Sequence, residues 1–298
     1  MHHDFNTIKE GKPMSVHIII DSASDISKEE ADRLDLHFLP LKTIFDHEEY
    51  LDGVTITHEQ FYEKLIESDA LPTTSQIPPY EYEEIFSEIV KKGDTAVCIT
   101  LSSKLSGSNQ SAHIAATDYS DFIEIVDSEN VCIGEQILIH LAVILRKEGK
   151  NAKEISCVLN EKKKEIRLIA LLDTLEYLKR GGRISSTAAF AGSLLSIKPV
   201  IAIENGEVAI LGKARGSKNG NNMLMELTNK NGGINFSMPF SLAYSGLSDS
   251  MLQKYIHDSE ALYEGKTKSL PVCTIGSTIG THAGPGAIAL AFFANKPD

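Results

Sequence analysis

Short apolar runs alternate with polar turns and longer one-sided stretches along most of this chain. The β-branched run at residues 16–20 predicts a strand and ends in Asp21-Ser22-Ala23-Ser24-Asp25. Ser27 then caps a short helix, with Glu30 in the capping-box position. Residues 36–44 have strand character, and residues 48–54 predict a hairpin partner for them. Thr57, with Gln60 three residues on, opens another helix. Residues 71–79 read as a rigid Pro- and Thr-containing loop. The loop opens a helix with Ile85, Phe86, Ile89 and Val90 on one face, stopped at Gly93. A strand (95–101), a helix (107–117), a strand (122–127) and a long helix (131–148) follow. This alternation predicts an α/β fold: a mainly parallel sheet flanked by helices on both faces.

Gly149-Lys150-Asn151 is a natural break. Beyond it come a helix (152–166) and strands at 168–172, 198–203, 207–211, 240–244 and 270–275. Helices are expected at 186–195, 218–230 and 248–260, and residues 287–294 read as a closing strand. The expected organisation is therefore two domains. Residues 14–150 form an N-terminal α/β domain, and residues 151–298 a smaller C-terminal α/β domain with a mixed sheet. Residues 1–13 are polar, precede a second methionine, Met14, and read as a frayed extension.

The chemistry concentrates in Ser102-Ser103-Lys104-Leu105-Ser106-Gly107-Ser108-Asn109-Gln110-Ser111-Ala112. This hydroxyl-rich turn follows a strand and leads into a helix, where free N–H groups and partial positive charge favour an anion. Lys104 is the one basic residue in it, so a monovalent anion such as a carboxylate fits better than a triphosphate. In parallel sheets ligands sit beyond the carboxyl ends of strands, and Asp21-Ser22, Thr74-Ser75 and the 102–108 turn all adjoin such ends.

Composition narrows the choice. The chain has 298 residues, 42% of them hydrophobic, and a formal net charge of -12. That charge argues against sequence-independent nucleic-acid binding and against docking on an anionic membrane. No apolar stretch approaches the roughly 18–20 residues of a membrane span. Cys98, Cys132, Cys157 and Cys273 form no CxxC pair, so neither a zinc site nor a disulfide framework is signalled. They read as buried, reduced thiols of a cytoplasmic protein. Asp21 and Asp25 are better explained by capping and turn stabilisation than by a metal or an acid–base pair. Gly284, Gly286 and Ala289 match the spacing of a dinucleotide fingerprint, but they precede a strand and lack the acidic residue downstream. No P-loop is present.

Six motifs occur in order: Asp21-Ser22-Ala23-Ser24-Asp25, Thr74-Ser75-Gln76, the 102–112 segment, Val126-Asp127-Ser128, Leu175-Glu176-Tyr177-Leu178-Lys179-Arg180-Gly181-Gly182-Arg183-Ile184, and His282-Ala283-Gly284-Pro285-Gly286-Ala287. Together they resemble the DegV family of fatty-acid-binding proteins, carrier subunits of a bacterial fatty-acid kinase that feeds phospholipid metabolism. The resemblance runs from about Val16 to Phe293. It implies two α/β domains enclosing a long acyl chain, with the carboxylate at the tunnel mouth. It implies no catalysis by the carrier, no cofactor other than the bound fatty acid, no metal, and an ATP-dependent kinase as partner. Position by position, Thr74, Ser75, Ser106 and Gly107 correspond to the carboxylate-binding segments. His282 corresponds to a polar neighbour of the head group, Arg183 to a member of its hydrogen-bonded network, and Arg215 to a kinase-docking position. Cys132 and Gln136 replace small residues common in the family, so a different tunnel shape is expected.

Two other functions fit the same residues. One is a serine hydrolase or acyltransferase using Ser106 and His282, although Lys104 and Ser108 stand where a nucleophile elbow has glycines. The other is a regulatory sensor of fatty-acid supply.

Overall fold

A computed structural model describes residues 15–68, 70–184 and 197–295. The helix expected at 186–195 and the extension at 1–13 lie outside the described residues.

The first sheet is built from β1 (Val16–Asp21), β2 (His37–Leu39), β6 (Thr95–Thr100) and β7 (Ile123–Asp127), in the order β2-β1-β6-β7. Every pairing in it is parallel. Alternation along β1 sends Ile18 and Ile20 to one face and Ile19 to the other. Ile19 packs with Tyr82, Phe86 and Ile89 of α3 (Pro79–Lys91) and Ala112 of α4 (Ser108–Ala115). Ile18 and Ile20 pack with α5 (Cys132–Lys147) and α6 (Ala152–Lys162).

The run at 36–44 does not form one strand. Pro40 cannot donate to a ladder, and the chain changes sheets there. Its first half is β2. Its second half, β3 (Lys42–Phe45), pairs antiparallel with β4 (Glu48–Leu51), the expected hairpin, and with β5 (Thr73–Ser75). The segment read as a rigid loop before α3 therefore contains a strand. Thr57 and Gln60 exchange the reciprocal bonds of a capping box at the start of α2 (His58–Glu67). Ser27 caps α1 (Lys28–Arg33), but Glu30 does not complete a box. Its carboxylate turns to Arg33 at 3.1 Å and His140 at 3.5 Å.

The second sheet is mixed, as expected, and six-stranded. Its strands are β8 (Ile166–Leu171), β9 (Ile197–Glu204), β10 (Glu207–Arg215), β11 (Phe240–Tyr244), β12 (Val272–Thr274) and β13 (Ile288–Phe293), in the order β10-β9-β8-β13-β11-β12. Only β11 and β12 run parallel. Its outer face is covered by α8 (Gly216–Lys230) and α9 (Ser250–Asp258) through Leu224, Leu252 and Tyr255. Its inner face meets α5.

Twelve residues of α5 are buried, because the helix lies between the two sheets with apolar residues on nearly every side. Three short helices complete the frame: α7 (Glu176–Arg180), α10 (Glu260–Tyr263) and α11 (Ser277–Ala283). Among the described residues no helix is long and apolar enough to cross a membrane. All four cysteines are free. Cys98 and Cys132 are buried and Cys273 half-buried, but Cys157 is exposed, contrary to the expectation of four buried thiols: it sits on the outer side of α6.

Candidate functional site

A cavity of about 340 Å³ opens between the carboxyl end of β6, the inner face of the second sheet, and α11. Most of its wall is aliphatic, including Leu101, Leu168, Leu172, Ile201 and Ile279. Its polar lining comes from Thr74, Ser75, Gln76, Ser106, Thr278, Arg183 and His282, besides Gly107 and the Cys132 thiol. Six of the seven residues singled out from the sequence thus share one cavity. Thr74, Ser75, Ser106 and Gly107 come from the N-terminal half, Arg183 and His282 from the C-terminal half. Arg215 is not in this wall. It ends β10 on the exposed surface and precedes α8.

The 102–108 turn folds through its own backbone: Leu105 and Ser106 N–H donate to the carbonyl of Ser102 at 3.0 and 3.1 Å. Ser106 Oγ lies 3.1 Å from Ser108 Oγ and accepts from the Ser108 N–H at 3.2 Å. No side chain caps α4 at Gly107. A Cβ on Gly107 would stand 1.9 Å from Gln76 Oε1, so glycine lets the Gln76 amide lie across the turn. That amide is held by its Nε2 donating to Ser111 Oγ at 3.0 Å.

His282 sits in the last turn of α11, which Gly284 closes with a φ of 71°. The N-terminus of α11 is fixed by Asp52, whose carboxylate accepts from Ser277 N–H, Ser277 Oγ and Thr278 N–H at 2.8, 2.8 and 3.2 Å. His282 Nε2 is 2.9 Å from Thr74 Oγ1, while its buried Nδ1 has no partner. Burial, with the positive Arg183 nearby, pushes the imidazole pKa down to about 4, so the ring is neutral at neutral pH. With the proton on Nε2, His282 donates to Thr74 Oγ1 and leaves the Thr74 O–H free to donate to a ligand. Arg183 braces the arrangement: its Nε donates to the Leu105 carbonyl at 3.1 Å and its Nη1 to the Gly181 carbonyl at 2.6 Å.

Ser106 and His282 are not hydrogen-bonded to each other; each has another partner. Among the described residues no carboxylate is hydrogen-bonded to His282. Among the described residues the serine–imidazole hydrogen bond of a base-activated serine is not formed.

Sequence reasoning missed three participants. Gln76 stood in a quoted motif without a role. Gly181 matters because a Cβ there would come within 2.1 Å of His282 Nδ1. Glu135, on α5, is wholly buried with both carboxylate oxygens unpartnered, and burial pushes its pKa well up. It belongs to an acidic cluster behind the cavity wall. Asp21 there accepts from Leu101 and Ala23 N–H at 2.8 and 3.0 Å, and burial raises its pKa to about 7. Asp25 accepts from Gly276 N–H at 2.7 Å, its buried Oδ2 has no hydrogen-bond partner among the described residues, and burial raises its pKa to about 8, with the Cys132 thiol beside the carboxylate. Cys132 itself has a left-handed φ of 53°. Both aspartates thus brace turns, and Asp21 caps the 3-10 turn Ser22–Ser24. Among the described residues no group of three or more His, Cys, Asp or Glu is arranged to hold a metal. Gly284 and Gly286 lie between α11 and β13, before a strand, which is no place for a dinucleotide fingerprint.

A two-sheet α/β frame thus surrounds an apolar cavity whose rim carries hydroxyls, an imidazole and the Arg183 guanidinium. A family model described as an uncharacterised protein of the DegV family matches residues 15–295, and the chain belongs to that family. A DegV domain-containing protein of Clostridium perfringens is 35% identical over 294 residues, covering 94% of this chain and 98% of the relative. The solved structure of a fatty-acid-binding DegV family protein from Thermus thermophilus superposes with a TM-score of 0.84 at 28% identity, covering 95% of this chain and all of the other. A stearic-acid-binding protein from Eubacterium ventriosum gives a TM-score of 0.81 at 28% identity, covering 93% and 97%.

Proposed function

We propose that this protein is a non-catalytic, cytoplasmic carrier that encloses a long-chain fatty acid and presents its carboxylate to an ATP-dependent fatty-acid kinase. The tail would lie along the aliphatic wall, gaining about 0.8 kcal/mol per methylene buried. The carboxylate would meet the hydroxyls of Thr74, Ser75 and Ser106 and the backbone at Gly107, with His282 orienting Thr74 and Arg183 supplying nearby positive charge. Phosphoryl transfer needs a carboxylate oxygen in line with the γ-phosphorus of ATP held by the kinase, with ADP leaving. A head group at the rim satisfies that need. Arg215, exposed and outside the cavity, is the residue proposed for kinase docking. The N-terminal unit, residues 14–150, contributes the hydroxyls, and the C-terminal unit, residues 151–298, the cover.

The observation that carries this reading is the cavity itself: one aliphatic chamber whose polar side chains include Thr74, Ser106 and His282. Fatty-acid binding by the Thermus and Eubacterium relatives supports it. Denaturing the purified protein and analysing released small molecules by mass spectrometry tests the ligand class. A co-purified long-chain acid is expected; failure both to release one and to bind added acid would end the proposal. Incubation with a fluorophosphonate probe should leave Ser106 unlabelled, and labelling there would favour a hydrolase.

A further inference from the structure

We infer that Leu168 and Ile203 set the acyl length this protein accepts, forming a stop between the apolar cavity and a second, polar one. The inference rests on the fatty-acid reading above. The inner face of the second sheet carries a rung of small side chains: Ala243 pairs with Ala289, and Ala289 with Ala170. Ala170 in turn faces Ile201. Small side chains on a covered sheet face leave room above them, and Ala170 and Ala289 line the cavity.

Two residues further along β8 and β9, the rung becomes bulky at Leu168 and Ile203. These two are buried, and they line both the first cavity and a second one of about 380 Å³. Among the described residues no other belongs to both walls. The far side is lined by Glu129, Lys163, Lys164, Arg167 and Asn205, among others, so a methyl terminus entering it would gain little from burial. Leu168 cannot readily retreat toward α5. A Cβ at Gly134 would already lie 3.1 Å from Leu168 Cδ1, so the helix is close there. In the other direction β8 leads through Leu172 to Leu178 and Arg183, which share the cavity with His282. The stop and the His282 side of the rim therefore lie toward opposite ends of β8, and the 102–108 turn runs between them, from Ser102, which donates to the Gly206 carbonyl at 2.7 Å, to Leu105, whose carbonyl accepts from Arg183.

The test is calorimetric titration of the delipidated protein with saturated fatty acids of increasing length. For the parent, affinity should rise with each methylene and then level off. Leu168→Ala combined with Ile203→Ala should move that plateau to longer acids, each methylene newly accommodated tightening binding about fourfold. Ala170→Leu, which fills the groove before the stop, should move the plateau to shorter acids, and it decides the matter if the double variant fails to fold. Plateaus at the same length in parent and variants would overturn the inference and leave the fatty-acid reading intact. A parent that binds no acid of any length would overturn both.

Discussion

The rim of the cavity is polar and half-buried, the acidic cluster behind it is polar and fully buried, and the two share a wall. Leu101 and Cys132 line the cavity and touch Asp21 and Asp25 on their other sides. The rim combines hydroxyls and an uncharged His282 with the positive Arg183 guanidinium. Among the described residues it presents hydroxyl, imidazole and guanidinium groups to the cavity and no carboxylate. The cluster gathers Asp21, Asp25, Asp52 and Glu135, and among the described residues no Lys or Arg bridges to them. Burial raises Asp21, Asp25 and Glu135, while backbone N–H groups hold both aspartates in place. Polar groups thus lie on both sides of the wall, open to the cavity on one side and tying distant chain segments together on the other.

The largest expected consequence is in pH dependence. Asp25 carries a folded pKa of about 8 against an ordinary value of 3.8, and Asp21 about 7. The folded protein therefore keeps these protons longer than the unfolded chain does. Their contribution to stability is full below the ordinary value and is lost as pH rises through about 7 and 8, a decline of several kcal/mol. Urea unfolding across neutral pH should show it. Asp25→Asn should flatten the slope, since asparagine tolerates the left-handed φ of 56° and can still accept from Gly276. An unchanged slope would mean that Asp25 is ionised in the folded state.

Asp52→Ala should come next. It removes three hydrogen bonds from the start of α11, each worth about 1 kcal/mol, and should cost about 3 kcal/mol in the same assay. Fatty-acid affinity should fall with it, because α11 carries His282.

Thr74→Val sharpens the contrast from the rim side. One charge-assisted hydrogen bond lost should weaken fatty-acid binding by about 1.5–3 kcal/mol, measured by calorimetry, with unfolding little changed. Equal affinity would remove Thr74 from the head-group site. Smallest of all, Arg215→Ala should leave both fatty-acid affinity and stability within about 0.5 kcal/mol of the parent, because the side chain is exposed. Its expected effect is confined to turnover of the bound acid by the kinase.

Much of the rim was legible because its signals are local. Ser102 to Ser108 announces a turn before a helix, and Thr57 with Gln60 announces a cap; each needs only neighbours in the chain. The small sheet was not legible. Thr73–Ser75 is three polar residues bounded by Pro72 and Gln76, and only β3, more than 25 residues earlier, makes it a strand. Pro40 was visible, but that it hands the chain from one sheet to another was not. Glu135 escaped notice because one acid in an apolar helix looks like a solvated position. The cavity floor depends on Ala170 and Ala289, 119 residues apart in the chain, and their pairing across β8 and β13 follows from topology rather than spacing.

The placement of α5 has a consequence for how the molecule comes apart. Because one helix supplies apolar contacts to both sheets, a fragment ending near residue 150 would retain that helix with its far side stripped of cover. Such a fragment would present a greasy ridge to water and self-associate. The intact chain should lose both halves in one cooperative step, and a guest lodged beside that helix would stiffen the two together.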